Sequence, residues 1–376
     1  MQLLIVPDSF KESLPATEVA SAIKRGIKRI NNALSVKCLP FSDGGEGALT
    51  VLEKHANGKR ISCKTVNPTG QAITADYFLF EDNATAWIEL SQASGLALLE
   101  EGDRNPTISS TFGTGLQIKH AIEQGCTKII LGIGGSATND AGAGIFQALG
   151  GKLTDKNGND LEKGGTALAT LNKIVLPKGL DKIQWEIACD VDNPLLGSNG
   201  ASSVYGPQKG ASPKDVAMLE TSLTHFSNCV KEQLKCDIEK VTGGGAAGGT
   251  AAGMLGFFKA QLIPGFHLLA QLLQLEKHIK KADLVFTAEG KIDPQSLQGK
   301  VPIGVARLAK KHHTPCVGLM GAIEGPIAPL YEEGFSGLFS IQNGPISLTE
   351  SKSNAAILLE ETAARVFAYH QNIQSL

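Results

Sequence analysis

The residues best suited to chemistry are acids, amides and lysines that stand beside clusters of glycine. The clearest stretch is Gly132-Ile133-Gly134-Gly135-Ser136-Ala137-Thr138-Asn139-Asp140, which follows the apolar residues 129–131. Glycine lets backbone N–H groups converge on an anion, and a loop that opens a helix adds the positive end of the helix dipole. This stretch predicts an anion site in which Gly134, Gly135, Ser136 and Thr138 make contacts. Asn139 and Asp140 could orient a substrate or a metal, or simply cap the helix.

Two further stretches place carboxylates in turns. Asp43 and Glu46 lie within Asp43-Gly44-Gly45-Glu46-Gly47, where a permissive backbone could present both to Mg²⁺ with waters retained. Asp190 lies in Cys189-Asp190-Val191-Asp192-Asn193-Pro194, after an apolar run, and could serve as a general base or a metal ligand. An ordinary polar turn would explain either stretch taken alone.

Lysines and a second glycine cluster complete the candidates. Lys11 lies in Asp8-Ser9-Phe10-Lys11-Glu12-Ser13, where it could neutralise an anion while Asp8 accepts a hydroxyl hydrogen bond; equally, Ser13 could cap a helix beside a solvated lysine. Asp293 could cap the following helix or contact substrate. Neither Lys209 nor Lys300, taken alone, indicates a function. The cluster Gly243–Gly249 contains five glycines and could approach phosphates closely.

The elements that must position these residues form a βαβα pattern at both ends of the chain. Apolar periodicity predicts strands at 3–6, 36–41, 284–287, 316–320 and 338–341, and helices at 13–30, 47–55, 301–312 and 354–371. The middle differs: antiparallel strands at 61–66 and 77–90, strands at 128–132 and 185–189, a helix from about Ala141 and another at 218–234. Asp8, Asp43, Asp190 and Glu289 then lie at predicted strand ends, where open parallel sheets bind ligands.

This order predicts two α/β domains. One is a discontinuous parallel sheet of residues 1–60 and 281–376, and residues 61–280 form a mixed α/β domain inserted into it. A length of 376 residues fits two domains.

Composition removes several classes of protein. A net charge of −2 and 5% aromatic residues argue against a dedicated nucleic-acid binder. Seven scattered cysteines without a CxxC argue against a disulfide framework or a zinc site, which favours a reducing, cytoplasmic compartment. The N-terminal apolar run lacks the features of a signal peptide. The uncharged stretch 241–258 contains seven glycines, so we expect no membrane helix there.

Motifs narrow the enzyme class. The chain has no P-loop, no protein-kinase set, no G-x-S-x-G nucleophile elbow and no H-E-x-x-H. Glycine loops, carboxylates and lysines without an evident nucleophile suit phosphoryl transfer, where catalysis consists of positioning and charge neutralisation. Gly132-x-Gly134-x-x-Ala137, with Asp155 as the later acid, also matches a loose dinucleotide fingerprint, so a nicotinamide-dependent dehydrogenase of a hydroxy acid stays open. A non-catalytic sugar-acid binding protein is the other alternative.

Six motifs, in order along the whole chain, resemble the bacterial glycerate kinase family, type I. They are Asp8-Ser9-Phe10-Lys11-Glu12-Ser13-Leu14, Ser42-Asp43-Gly44-Gly45-Glu46-Gly47, Gly134-Gly135-Ser136-Ala137-Thr138-Asn139-Asp140, Ala188-Cys189-Asp190-Val191, Gly206-Pro207-Gln208-Lys209-Gly210 and Asp293-Pro294-Gln295-Ser296-Leu297-Gln298-Gly299-Lys300. The resemblance implies ATP-dependent phosphorylation of D-glycerate, usually to 2-phosphoglycerate and in some members to 3-phosphoglycerate. It also implies two α/β domains, one of them flavodoxin-like, with the active site between them.

For such a reaction we expect the following roles. Asp190 accepts the hydroxyl proton, with Asp293 as second candidate; Lys11 contacts substrate or phosphate. Substrate contacts come from Asp8, Ser136, Thr138, Asn139, Asp140 and Gln295. Nucleotide contacts come from Gly134, Gly135, Lys209, Gly244, Gly245, Gly248 and Lys300, where Lys209 or Lys300 neutralises the transferring phosphoryl group. Asp43 and Glu46 hold Mg²⁺ through water, and the protein is a monomer or homodimer. Ala141 and Ala288 depart from the family pattern, which has glycine there.

Overall fold

A computed structural model describes residues 1–42, 44, 47–293, 296, 297 and 300–374. Its strands are β1 (Gln2–Ile5), β2 (Ser35–Cys38), β3 (Gly58–Val66), β4 (Ala72–Phe80), β5 (Thr85–Glu89), β6 (Lys128–Gly132), β7 (Lys152–Thr154), β8 (Lys173–Val175), β9 (Gln184–Ala188), β10 (Gln261–Ile263), β11 (Leu284–Ile292), β12 (Cys316–Ile323) and β13 (Gly337–Ser340).

The α-helices are α1 (Ala16–Ile30), α2 (Ala48–His55), α3 (Ser91–Ser94), α4 (Phe112–Glu123), α5 (Ala143–Ala148), α6 (Ala201–Tyr205), α7 (Pro213–Leu234), α8 (Ala246–Phe258), α9 (Gly265–Leu272), α10 (Leu275–Ile279), α11 (Val301–Lys311), α12 (Ala328–Glu332), α13 (Leu348–Ser353) and α14 (Ala355–Gln374). Within the described ranges, no helix has both the length and the apolar character needed to cross a bilayer.

Contacts group the chain into two compact units. Unit 1 comprises Met1–Asp43 and Phe266–Leu376, and unit 2 comprises Gly44–Gly265. These bounds lie at 43 and 265, whereas the sequence analysis places domain bounds at 60 and 280. The difference assigns α2 and the start of β3 to unit 2, and α9 and α10 to unit 1.

Unit 1 is built on a parallel sheet of order β2-β1-β11-β12-β13. Counted within the unit, this is the 2-1-3-4-5 order of flavodoxin-like folds. Leu3, Ile5 and Phe286 pack with α1 and α14 in one core, while Leu4 and Val285, which alternate with them along the strands, are also buried. Both faces of the sheet are therefore covered, as parallel sheets require.

Unit 2 is built on a mixed sheet of order β10-β9-β6-β5-β4-β3. The pairs β3–β4 and β4–β5 are antiparallel, and β5, β6, β9 and β10 run parallel. A second core lies beside it, where Phe146, Phe226 and Phe257 pack together. The predicted fold class, α/β with one flavodoxin-like sheet and one mixed domain, is confirmed.

Three local predictions are wrong. Residues 77–90 form two strands, because Asp82 accepts hydrogen bonds from Ala84 and Thr85 and Asn83 has a positive φ, which turns the chain. The strand predicted to end near Glu289 continues to Ile292, paired with β12. Ser13 does not cap α1; its hydroxyl donates to the Lys352 carbonyl. The helix expected to begin near Ala141 is present and begins at Ala143.

Candidate active site

Three parallel strands of unit 2 end in register at one edge of the sheet. Glu89 of β5 pairs with Gly132 of β6, and Gly132 pairs with Ala188 of β9. A Cβ at Gly132 would lie 2.6 Å from the Gly44 carbonyl oxygen, so glycine is required for Gly44 to approach. The edge therefore brings Gly44 close to the start of the 132–140 stretch.

Asp190 lies at the same edge, directly after β9, and its side chain is exposed. Both carboxylate oxygens accept from the Gly265 backbone N–H, at 3.0 and 3.1 Å. A Cβ on Gly44 would lie 2.7 Å from the Gly265 Cα, so Gly44 lies beside the residue whose N–H holds Asp190. An exposed, oriented carboxylate beside a glycine-rich loop can accept a proton from a hydroxyl.

Glu89 is a candidate that the sequence analysis missed. Its side chain is 3% exposed, and its carboxylate accepts from the Leu49 N–H at 2.6 Å, at the start of α2. Glu89 thus anchors the start of α2, with the carboxylate at the favourable end of the helix dipole. The available signal was an acid directly after the apolar residues 86–88.

Lys209 lies under the 134–138 loop, not in solvent. It is 1% exposed and donates to the Ser136 Oγ at 2.8 Å and the Thr138 carbonyl at 2.7 Å. Burial lowers the pKa of Lys209 to about 7, although the Asp140 carboxylate opposes this shift. The sequence analysis expects Lys209 to contact a phosphoryl group. In the structure its buried ammonium group instead holds this loop in place. Gly135 is the exposed residue of the loop.

Asp140 is also fully buried. It accepts from the Thr111 N–H and hydroxyl at 2.8 and 2.9 Å, and from the N–H groups of Gly142 and Gly144 at 3.2 Å. Burial raises the pKa of Asp140, while these hydrogen bonds oppose the rise. The carboxylate of Asp140 therefore occupies the N-terminus of α5, the position at which the sequence analysis expects a bound anion.

Thr138 and Asn139 are likewise 0% exposed, and Asn139 Nδ2 donates to the Ser202 Oγ at 3.2 Å. Ala141, where the family pattern has glycine, has a φ of 50°. Alanine in this left-handed conformation costs about 1 kcal/mol. Ala288 lies within strand β11, where no positive φ is needed.

The 243–249 cluster serves close packing of the chain on itself. The N–H groups of Gly244 and Gly245 donate to Val241 and Asn193, and the Gly248 carbonyl accepts from Ala141. A Cβ at Gly248 would lie 2.1 Å from the Thr138 carbonyl oxygen. Because these backbone groups are bonded within the chain, Gly244, Gly245 and Gly248 do not form the phosphate-binding loop that the sequence analysis expects.

The residues that match the dinucleotide fingerprint do not adopt a dinucleotide-binding arrangement. Asp155 lies in a turn, where it accepts from Asn157 and Asn159, and the preceding β7 pairs antiparallel with β8 in a separate two-stranded sheet. A dinucleotide fold needs this acid at the end of a parallel neighbour of β6.

The carboxyl edge of the unit 1 sheet holds a second group of predicted residues. Half-buried Asp8 accepts from the Ser9 N–H at 2.6 Å, and Lys300 lies 2.9 Å from the Glu289 carboxylate. Asp293 accepts from the Ser296 N–H and hydroxyl at 3.0 Å. Burial would raise the pKa of Asp293, but these hydrogen bonds and nearby lysines together lower it. Exposed Lys11 and Lys300 both line a cavity of about 350 Å³ here.

Asp43, Glu46 and Gln295 lie outside the described residues. Among the residues that are described, no group of three His, Cys, Asp or Glu side chains could hold a metal ion. All seven cysteines are free, as the sequence analysis expects.

Comparisons with known proteins agree along the whole chain. A model described as the glycerate kinase family matches residues 3–371. Glycerate 2-kinase of Escherichia coli (strain K12) is 43% identical over 355 residues, 93% of each chain. Glycerate kinase of Bacillus subtilis (strain 168) is 41% identical, and the aligned region covers 98% of this chain and 97% of the B. subtilis protein. A crystal structure from Salmonella typhimurium LT2, assigned as a candidate glycerate kinase 2, superposes with a TM-score of 0.87 at 41% identity, over the full length of both chains.

With this agreement, and with the dinucleotide geometry absent, the chain belongs to the glycerate kinase family and is a kinase, a phosphotransferase.

Proposed function

We propose that this kinase phosphorylates D-glycerate with ATP and that 2-phosphoglycerate is the product, with 3-phosphoglycerate as the alternative. The E. coli relative named glycerate 2-kinase supports the choice of hydroxyl. The observation that carries the proposal is the exposed Asp190 carboxylate, held by the Gly265 N–H beside the Gly44 and Gly132 backbones.

Asp190 accepts the proton of the attacking hydroxyl. The Gly265 N–H orients its carboxylate toward the sheet edge. Gly134 and Gly135, the accessible part of the loop that Lys209 supports, contact the carboxylate of glycerate or the transferring phosphoryl group through their backbone. Lys11 and Lys300 supply positive charge for the phosphates. Asp8 accepts a hydroxyl hydrogen bond, and Gln295 stays a proposed substrate contact.

Mg²⁺ fits the donor chemistry of the 43–47 stretch. Gly44, between the two acids, lies against Gly265, whose N–H holds the Asp190 carboxylate. Two carboxylates this close in sequence, in a glycine-rich stretch, suit Mg²⁺, which keeps several waters. We therefore retain Asp43 and Glu46 as its proposed ligands. Bound there, Mg²⁺ would neutralise phosphate charge. We also retain an active site between the two domains, a cytoplasmic location and a monomer or homodimer.

The test is an ADP-release assay with ATP and Mg²⁺ across small hydroxy acids, followed by NMR of the product. D-glycerate should give turnover well above L-glycerate, lactate and glycolate, and the product should carry phosphate on carbon 2. Phosphate on carbon 3 would change the regiochemistry only. Absence of ADP release with D-glycerate would overturn the proposal.

A further inference from the structure

The cavity of unit 1 combines an apolar wall with lysines. Phe10 and Ile341, 4% and 1% exposed, contribute apolar surface, and Gln342 contributes a carboxamide. Among the described residues, four lysines and two glutamates line it, an excess of two positive charges. A cavity of about 350 Å³ falls within the range of small-molecule sites. The lining therefore suits a ligand that is partly flat and apolar and partly anionic.

The two kinds of lining group come from different strands. Ile341 and Gln342 follow β13, whereas Lys291 ends β11 and Lys300 precedes α11. Since β12 lies between β11 and β13, these groups are separated by about 10 Å at ~4.8 Å per strand. All lie at the carboxyl edge of a flavodoxin-like sheet, where such folds place nucleotides.

We propose that this cavity is the adenine-nucleotide pocket of the kinase, with the base against Ile341 and Gln342 and the phosphates at Lys291 and Lys300. The inference rests on the proposed use of ATP. Gln342 has a donor and an acceptor, the pair that adenine recognition by glutamine uses. A three-carbon acid would leave most of the cavity and its apolar wall empty. This position replaces the 243–249 cluster, where the N–H groups of Gly244, Gly245 and Gly249 donate within the chain.

One ion pair gives a matched test of the phosphate end. Lys291 lies 2.8 Å from Glu324; their side chains are 48% and 60% exposed, so neither substitution threatens folding. Lys291→Met and Glu324→Gln both remove the pair, but only the first removes the cation. Calorimetric titration of the full chain with ADP and with pyrophosphate, without glycerate, should show about tenfold weaker binding of both to Lys291→Met. Glu324→Gln should bind both as tightly as wild type or more tightly.

The base end is tested by Gln342→Leu, at another exposed side chain. We expect about tenfold weaker ADP binding and unchanged pyrophosphate binding, because pyrophosphate has no base. In turnover assays, Lys291→Met and Gln342→Leu should raise the KM for ATP and leave the KM for D-glycerate unchanged. Wild-type ADP affinity in both variants would overturn the site, as would equal loss of ADP and pyrophosphate in Gln342→Leu.

The outcome separates this inference from the proposed function. If the variants change ADP binding as expected but no hydroxy acid gives turnover, the pocket stands and glycerate phosphorylation fails. If D-glycerate is phosphorylated with a normal KM for ATP in both variants, the function stands and the pocket is wrong.

Discussion

Asp190 is the residue on which the proposed chemistry depends most. Asp190→Asn keeps an oxygen that can accept from the Gly265 N–H but removes the basic carboxylate. We expect kcat to fall by about 10²–10⁴, the usual contribution of a general base, with little change in thermal stability or in the KM for ATP.

Asp192, an exposed acid two residues on, provides the control. Asp192→Asn removes the same charge from the same turn and should keep kcat within about twofold of wild type. Steady-state kinetics of both variants decide the matter: a near-normal kcat in Asp190→Asn would assign the base elsewhere.

Lys209 should make stability depend on pH. Its pKa is about 7 in the folded chain and ~10.4 when unfolded, so between these values the unfolded chain binds more protons. The free-energy cost of burying the charged amine is therefore largest below about pH 7. It diminishes as the pH rises toward 10, so the folded state gains stability over this range. Denaturant unfolding at several pH values should show that wild type gains stability relative to Lys209→Met over this window.

Subtracting the Lys209→Met curve matters because buried cysteines with raised pKa values oppose the trend in both proteins. A constant difference between wild type and variant across pH 7–10 would contradict a buried, neutralised Lys209. Sequence alone identified this lysine but misplaced its contacts, since nothing in Gly206-Pro207-Gln208-Lys209-Gly210 indicates a buried contact with Thr138, 71 residues earlier.

At the scale of elements, the start of α8 depends on glycine. Ala247, Gly248 and Gly249 all have positive φ, and the Gly248 backbone packs against Thr138 and Asn139. Gly248→Ala combines a strained φ with a Cβ 2.1 Å from a carbonyl oxygen. We expect a loss of about 2–5 kcal/mol in the free energy of unfolding, together with reduced activity, because the 134–140 loop must move.

Gly158→Ala is the matched control. Gly158 has a φ of 84° but nothing within 4 Å of its Cβ position, so only the backbone cost of about 1 kcal/mol applies. Equal destabilisation of the two variants in denaturant titrations would mean that close packing at Gly248 contributes nothing.

Elements with a simple pattern were predictable. The apolar residues 129–131 predict β6, and the predicted bounds 128–132 agree with the structure, since a buried parallel strand needs apolar residues on both faces. The kinked start of α8 was not predictable, because its conformation is set by contacts with residues over 100 positions earlier in the chain. The same holds for the site: glycines and acids identified the stretches, but only the fold separates exposed Asp190 from buried Asp140.

At the scale of the molecule, unit 2 is a continuous segment with its own sheet and cores. We expect the polypeptide 44–265 to fold alone, with a cooperative denaturant transition and a far-UV spectrum of mixed α/β type.

The segment 61–280, with the bounds expected from sequence, should behave differently. It lacks α2, whose Leu49, Val51 and Leu52 are buried, and it leaves the Glu89 carboxylate without the Leu49 N–H. It also carries Phe266, which packs on Phe41 of unit 1. Burial of each missing apolar side chain is worth about 1.5–3 kcal/mol, so this fragment should be several kcal/mol less stable or should aggregate. Equal stability of the two fragments would place the domain boundary nearer 60 and 280 than 43 and 265.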